Sequence, residues 1–124
     1  MNSEFLRARL RSFVYAWRGI VALVVTQGNA RVHLAATVAV VAGGWFFKVS
    51  AGEWIALVLA MTAVWVTEGM NTAIEALADR ITKEPDPLIG RAKDVAAGAV
   101  LIAAVAAAAV GALVFLPKLA CSCH

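Results

Sequence analysis

A chain of 124 residues that is 62% hydrophobic and 15% charged lies far from soluble domains, in which about a quarter of residues are charged. A mean hydropathy of +0.82 leaves too little polar surface to clothe so small a domain, which excludes soluble globular and disordered classes. The net charge of +3 comes from basic residues hugging the ends of apolar runs, with no groove-reading motif, so a membrane surface and not nucleic acid is its partner.

Residues 4–26 mix Arg7, Arg9, Arg11 and Arg18 with Phe5, Leu6, Leu10, Phe13, Val14 and Trp17. That mixture predicts an amphipathic helix lying on the membrane, its arginines against anionic headgroups. A signal peptide is the rival reading and the weaker one, because Ile20–Val25 is only six residues long and no small-x-small cleavage site follows it.

Three apolar runs follow, to be judged against the 20 or so helical residues that cross roughly 30 Å of hydrocarbon. Val32–Phe47 is short, and spans if Arg31 and Lys48 snorkel to opposite headgroup layers. The second run starts at Trp54, is interrupted by Glu68 and ends near Glu75; the third is Val95–Pro117. The predicted spans are 30–48, 54–78 and 93–117. Lys48–Glu53 is a tight turn between antiparallel helices, and Thr82–Ile89, with Pro85 and Pro87, is a longer polar connection. The expectation is a single all-α membrane domain of three transmembrane helices plus an N-terminal surface helix.

Nine Lys and Arg (five before the first span, then Arg80, Lys83, Arg91 and Lys93) face two (Lys48 and Lys118). The imbalance puts the N-terminus and the Arg80–Lys93 loop in the cytoplasm and the C-terminus outside. Trp45, Trp54 and Trp65 read as belt or packing residues. The third span is rich in small residues, among them Gly98, Ala103 and Gly111, which permit close helix contact and favour an oligomer. Cys121 and Cys123 are too close in sequence to staple a fold. With His124 they offer a weak metal-ligand set on a chain end.

Acidic groups inside a span cost roughly 2.5–3.5 kcal/mol near its centre and demand a reason. Taking Glu68 as zero, Asn71, Glu75 and Asp79 fall within an arc of roughly 80°, a polar stripe climbing roughly 16 Å toward the cytoplasmic surface. Lys93 and Asp94, expected to begin the third helix, lie at comparable height. Glu68 lies deepest, a setting that suits a general base. Glu75 and Asp79, nearer water, suit Mg²⁺, and Lys93 suits a phosphate. Bland readings stand beside these: Glu75 and Asp79 as solvated partners of Arg80 or Lys83, Asp94 as a first-turn acid, Glu68 as a structural hydrogen bond between helices. No phosphate loop, dinucleotide fingerprint, H-E-x-x-H or serine triad pattern is present.

Glu68-Gly-Met-Asn-Thr-Ala-Ile-Glu-Ala-Leu-Ala-Asp79, followed by Gly90-Arg-Ala-Lys-Asp-Val-Ala-Ala-Gly-Ala-Val100, resembles the signature of the prokaryotic diacylglycerol kinase and undecaprenol kinase family. The resemblance extends to Tyr15-Ala-Trp-Arg-Gly19, Asn29-Ala-Arg-Val-His33 and Phe115-Leu-Pro-Lys-Leu119, and so covers nearly the whole chain. It implies a small integral membrane kinase of the bacterial inner membrane, a homotrimer with active sites shared between subunits, using MgATP to phosphorylate a lipid hydroxyl. It further implies Glu68 as general base, Asn71 as its positioning partner and Glu75 as a ligand of the nucleotide's metal. Tyr15, Asp79, Glu84, Asp86, Lys93 and Asp94 take nucleotide-side positions, and Trp17 and Ala97 take lipid-side ones.

Two departures qualify this likeness. Gln27 stands where many relatives have a metal-binding Glu, and a neutral oxygen holds Mg²⁺ less strongly. Ala8 stands where an ungapped match places a nucleotide-side Arg, with Arg7, Arg9 and Arg11 close by. Ala97 and the Phe-Leu-Pro-Lys-Leu ending favour undecaprenol over diacylglycerol. Two alternatives remain: a non-enzymatic bundle in which Glu68 is a protonatable relay, and a kinase fold that lost catalysis with Gln27.

Overall fold

The computed structural model describes residues 2–123, so His124 of the terminal Cys–His set lies outside the described residues. Among those residues every regular element is helical: α1 (Ser3–Thr26), α2 (Gly28–Phe46), α3 (Ala51–Ile81) and α4 (Pro87–Ser122). The tightest pairing is α3 against α4, with α2 laid on α3 and α1 touching both α2 and α3.

Helix limits follow from local chemistry. At the start of α3, Ser50 Oγ accepts from the Glu53 amide at 3.2 Å, while Glu53 Oε2 accepts from the Ser50 amide at 2.8 Å. This capping box satisfies two of the donors a helix start leaves orphaned. For α4, Asp86 Oδ1 accepts from the amides of Leu88 and Ile89 at 2.9 and 3.1 Å, with Pro87 at the first helical position. Proline needs no amide partner there and its fixed φ already fits the helix. The expectation that the third helix begins at Lys93–Asp94 is therefore corrected. Those residues lie two turns inside α4, Asp94 is not a first-turn acid, and the loop is only Thr82–Asp86.

One residue, Gln27, separates α1 from α2, its backbone extended at φ −105° and ψ 121°. Arg31 reaches back over this corner, donating from Nε to the carbonyl of Val24 and from Nη2 to that of Val25. Those are C-terminal carbonyls of α1 that the helix itself leaves unpaired. Arg31 is thus a helix cap, not a free snorkelling cation.

The α2–α3 turn is tight, as expected. Lys48 occupies the left-handed region at φ 52°, and the Val49 amide donates to the Gly44 carbonyl at 3.1 Å, closing α2 in a Schellman arrangement. Beside this turn lies the apolar core: Val49, Leu57 and Val114, covered by Phe47, Trp54, Val110 and Phe115. Gly44 is what admits the Trp54 ring, which a Cβ at that position would overlap. Across the same end, Lys118 of α4 pairs with Glu53 of α3 at 3.1 Å. One residue earlier in α4, Pro117 supplies no amide, so the Leu113 carbonyl loses its helical donor.

Length and composition make α3 and α4 long and apolar enough to cross a membrane. With 19 residues, α2 is about 28 Å long, close to the span of the hydrocarbon core. None of the residues of α1 is buried within the chain. Its Arg7, Arg11 and Arg18 fall within roughly 40° of one another about the helix axis.

Candidate active site

The polar stripe of α3 is ordered by burial. Glu68 is 1% exposed and Asn71 9%, whereas Asp79 is open to solvent. Asn71 Nδ2 donates to Glu75 Oε1 at 3.4 Å, one helical turn along. At the outer end, Lys93 Nζ meets Asp79 Oδ1 at 3.1 Å, which ties α3 to α4. The structure thus pairs Glu75 with Asn71 and Asp79 with Lys93, in place of Arg80 or Lys83.

Beneath these pairs, three buried oxygens have no hydrogen-bond partner among the described residues: Glu68 Oε2, Asn71 Oδ1 and Thr72 Oγ1. An unsatisfied buried polar atom costs about 1–3 kcal/mol, more for a charged one. Three of them on one turn of one helix make a cluster that folding alone does not explain, since native interiors satisfy nearly all such groups. The bland reading of Glu68 as half of a structural hydrogen bond finds no such bond among the described residues.

Two concavities flank the stripe. The first, of about 500 Å³, is bounded by Asp79 and Lys93 and by the loop residues Lys83, Glu84 and Asp86. It joins two cations to three carboxylates at the mouth of the bundle. The second is a groove of about 660 Å³ between α1 and α3, lined by Ala16, Gly19, Leu23, Gly69, Thr72 and Ala73. Its walls are mostly apolar, with Thr26 at the α1 side and Thr72, whose unpartnered hydroxyl lies in the same turn as Asn71, on α3. Small residues on both helices hold this groove open, a feature that sequence inspection passed over because each is an unremarked position on its own helix.

The other candidates are placed as follows. Asp86 spends one carboxylate oxygen on capping α4. Gln27 is half-buried at the α1–α2 corner, and its Nε2 donates to Thr26 Oγ1 at 3.3 Å, so the opposite side of the amide presents an oxygen. Tyr15 and Trp17 are exposed on α1, and Asp94 and Ala97 are exposed on α4. Cys121 and Cys123 are free and exposed. Among the described residues no three His, Cys, Asp or Glu side chains gather into a metal centre.

His33 was absent from the candidates, yet it is the nearest ionisable neighbour of Glu68: Nε2 stands 3.6 Å from Oε2. A histidine at the end of an apolar run carries no local signal. Only the register of α2 against α3, fixed by the Trp65 Nε1 donation to Thr37 Oγ1 at 2.9 Å, brings it there.

The family model for prokaryotic diacylglycerol kinase matches residues 14–115. The chain is 43% identical over 109 residues to an undecaprenol kinase of Bacillus subtilis, covering 88% of this chain and 89% of that one. It is 40% identical over 111 residues to a diacylglycerol kinase of Synechocystis, covering 89% of this chain and 63% of the relative. To a diacylglycerol kinase of Escherichia coli K12 it is 38% identical over 94 residues, covering 75% and 76%. The matched region contains the whole α3 stripe and the other candidate residues from Tyr15 on α1 to Ala97 on α4. With an unsatisfied acid buried in an apolar helix beneath a cation-bearing mouth, the chain belongs to the prokaryotic diacylglycerol kinase family and is a lipid kinase.

Proposed function

We propose that this kinase transfers the γ-phosphoryl group of MgATP to the hydroxyl of a membrane lipid at the cytoplasmic interface, with undecaprenol favoured over diacylglycerol. The observation that carries the reading is Glu68: a carboxylate 1% exposed, with one oxygen unpartnered, lying in the turn before Asn71 and beneath the Lys93–Asp79 pair. Phosphoryl transfer asks chiefly for positioning and charge neutralisation, which so spare a site can supply.

In this reading the lipid lies in the groove between α1 and α3, its hydroxyl near Thr72 and Glu68. Glu68 takes the hydroxyl proton as the oxygen attacks phosphorus. Asn71 holds Glu75 by its Nδ2 and turns its unpartnered Oδ1 toward the reacting groups. Lys93, freed from or shared with Asp79, neutralises phosphate charge; Glu84, Asp86, Asp94 and Tyr15 border the nucleotide, and Trp17 and Ala97 border the lipid. The donors fit a hard cation: Glu75 offers a half-buried carboxylate and Gln27 an amide oxygen, with the remaining ligands left to phosphate and water. When bound, magnesium supplies charge neutralisation on the β- and γ-phosphates.

The preference for undecaprenol rests on Ala97 and the Phe115–Leu119 ending, and agrees with the name carried by the relative at 43% identity. The topology we infer has α2 as a third span beside α3 and α4, α1 on the membrane surface, and the N-terminus and α3–α4 loop in the cytoplasm of the inner membrane. A homotrimer with shared sites accounts for the exposed small residues of α4 and for buried donors and acceptors that one chain leaves unmet. The experiment is radiolabelled phosphate transfer from MgATP to undecaprenol and to diacylglycerol in mixed micelles, with wild type and Glu68→Gln. Product with undecaprenol exceeding that with diacylglycerol, lost in the variant, is expected. No transfer to either lipid would overturn the kinase reading in favour of a non-enzymatic bundle.

A further inference from the structure

We propose that His33 is the positioning partner of Glu68 and the group that takes over its proton after the acceptor hydroxyl is deprotonated. This rests on the kinase reading. Glu68 Oε2 is buried with no hydrogen-bond partner, and the nearest ionisable atom to it is His33 Nε2, 3.6 Å away on the neighbouring helix. At 3.6 Å the two are neighbours just beyond hydrogen-bond distance, and catalytic contacts of this kind commonly tighten when substrate binds.

The His33 ring is held in place on one side. Its edge meets the Trp65 ring, centroids 6.5 Å apart. Trp65 is itself fixed by Thr37, whose hydroxyl donates to the His33 carbonyl at 2.7 Å. So α2 and α3 are pinned together at the level of the imidazole. On its other side lies a cavity of about 280 Å³, walled by residues such as Ala36, Val64 and Ala104. None of the α3 or α4 residues lining that cavity titrates. Residues 20–26 of α1 carry no titratable side chain, and Arg31, the nearest cation on α2, is engaged by the carbonyls of Val24 and Val25. Glu68 is therefore the one charged group that faces His33 among the described residues.

A buried general base needs an exit for its proton, because a carboxylic acid left in place blocks the next turnover. The His33 side chain retains 18% exposure against 2% for that of Glu68. In the step proposed, the lipid oxygen forms its bond to the γ-phosphorus as the bond to the bridging oxygen breaks, and ADP leaves with that electron pair. The hydroxyl proton passes to Glu68, then from the carboxyl to His33 Nε2, and the imidazolium releases a proton to water.

The test compares wild type, His33→Ala and His33→Gln in the same transfer assay from pH 5.5 to 9, with KM for ATP and lipid separated from kcat and with added imidazole. Helix content and oligomer size in detergent are checked for each variant. Expected are a fall in kcat of about 10²-fold in His33→Ala with KM for ATP unchanged, and a pH profile of kcat that differs from that of wild type. Imidazole should restore part of the alanine variant's rate, and His33→Gln, which can hydrogen-bond but cannot take up a proton, should stay slow. Inactive wild type would overturn the kinase reading itself. Active wild type with both variants at full kcat, or with kcat and KM both degraded under an unchanged pH profile, would overturn the role of His33 alone.

Discussion

The two ends of this bundle are built on opposite principles. At the turn end, Val49, Leu57 and Val114 are packed under Trp54 and Phe115, Ser50 and Glu53 satisfy each other's backbone donors, and Lys118 answers Glu53. Each of these contacts raises stability. At the mouth, Glu68, Asn71 and Thr72 are buried with unmet oxygens, and the walls are grooves rather than contacts. Stability is forgone where chemistry is expected, in keeping with the general finding that strained or unsatisfied groups gather at functional sites. The difference teaches that a small membrane enzyme concentrates its folding energy away from its reaction.

Substitutions at the two ends should therefore have opposite signatures. Glu68→Gln should lower kcat by about 10³-fold while leaving the melting temperature in detergent unchanged or higher, since it removes a buried carboxylate with an unpartnered oxygen. Loss of both activity and stability would break the comparison. Lys93→Met should reduce kcat/KM for ATP by about 10²-fold, with KM for lipid nearly constant. The loss of its exposed contact with Asp79 should barely move stability. At the other end, Gly44→Val should cost about 1–3 kcal/mol, read by chemical denaturation, because its side chain would drive into the Trp54 ring; activity per folded molecule should stay near wild type. Smallest is Lys48→Gly, expected to raise stability by about 1 kcal/mol by relieving a left-handed backbone, with transfer unaffected.

Much of the architecture was legible in the sequence because its signals are local. Arg-studded residues 4–26 became α1 (Ser3–Thr26), and the expected turn at Lys48–Glu53 falls at residues 47–50, the last three residues of that segment opening α3. The stripe was legible too, since 100° per residue aligns Glu68, Asn71, Glu75 and Asp79 on any unbroken helix. The start of α4 was misplaced by about two turns, although Asp86-Pro87 is a cap followed by a first-position proline; reading both prolines as loop hid it. Arg31 as the cap of α1, His33 beside Glu68 and the groove between α1 and α3 were out of reach for a different reason. Each depends on how one helix is set against another, and a periodicity fixes faces without fixing neighbours.

The unbroken run of α3 from Ala51 to Ile81 has a consequence for the membrane around it. Fourteen residues separate Trp54 from Glu68, a rigid distance of about 21 Å. In the topology proposed above, with the α2–α3 turn at one face of the bilayer, that helix acts as a ruler that fixes how far the carboxylate stands from the opposite face. A thicker bilayer draws Glu68 deeper into oil, and a thinner one lifts it among the headgroups. In that topology lipid chain length is coupled to the setting of Glu68, so bilayer thickness would act on the reaction proposed there.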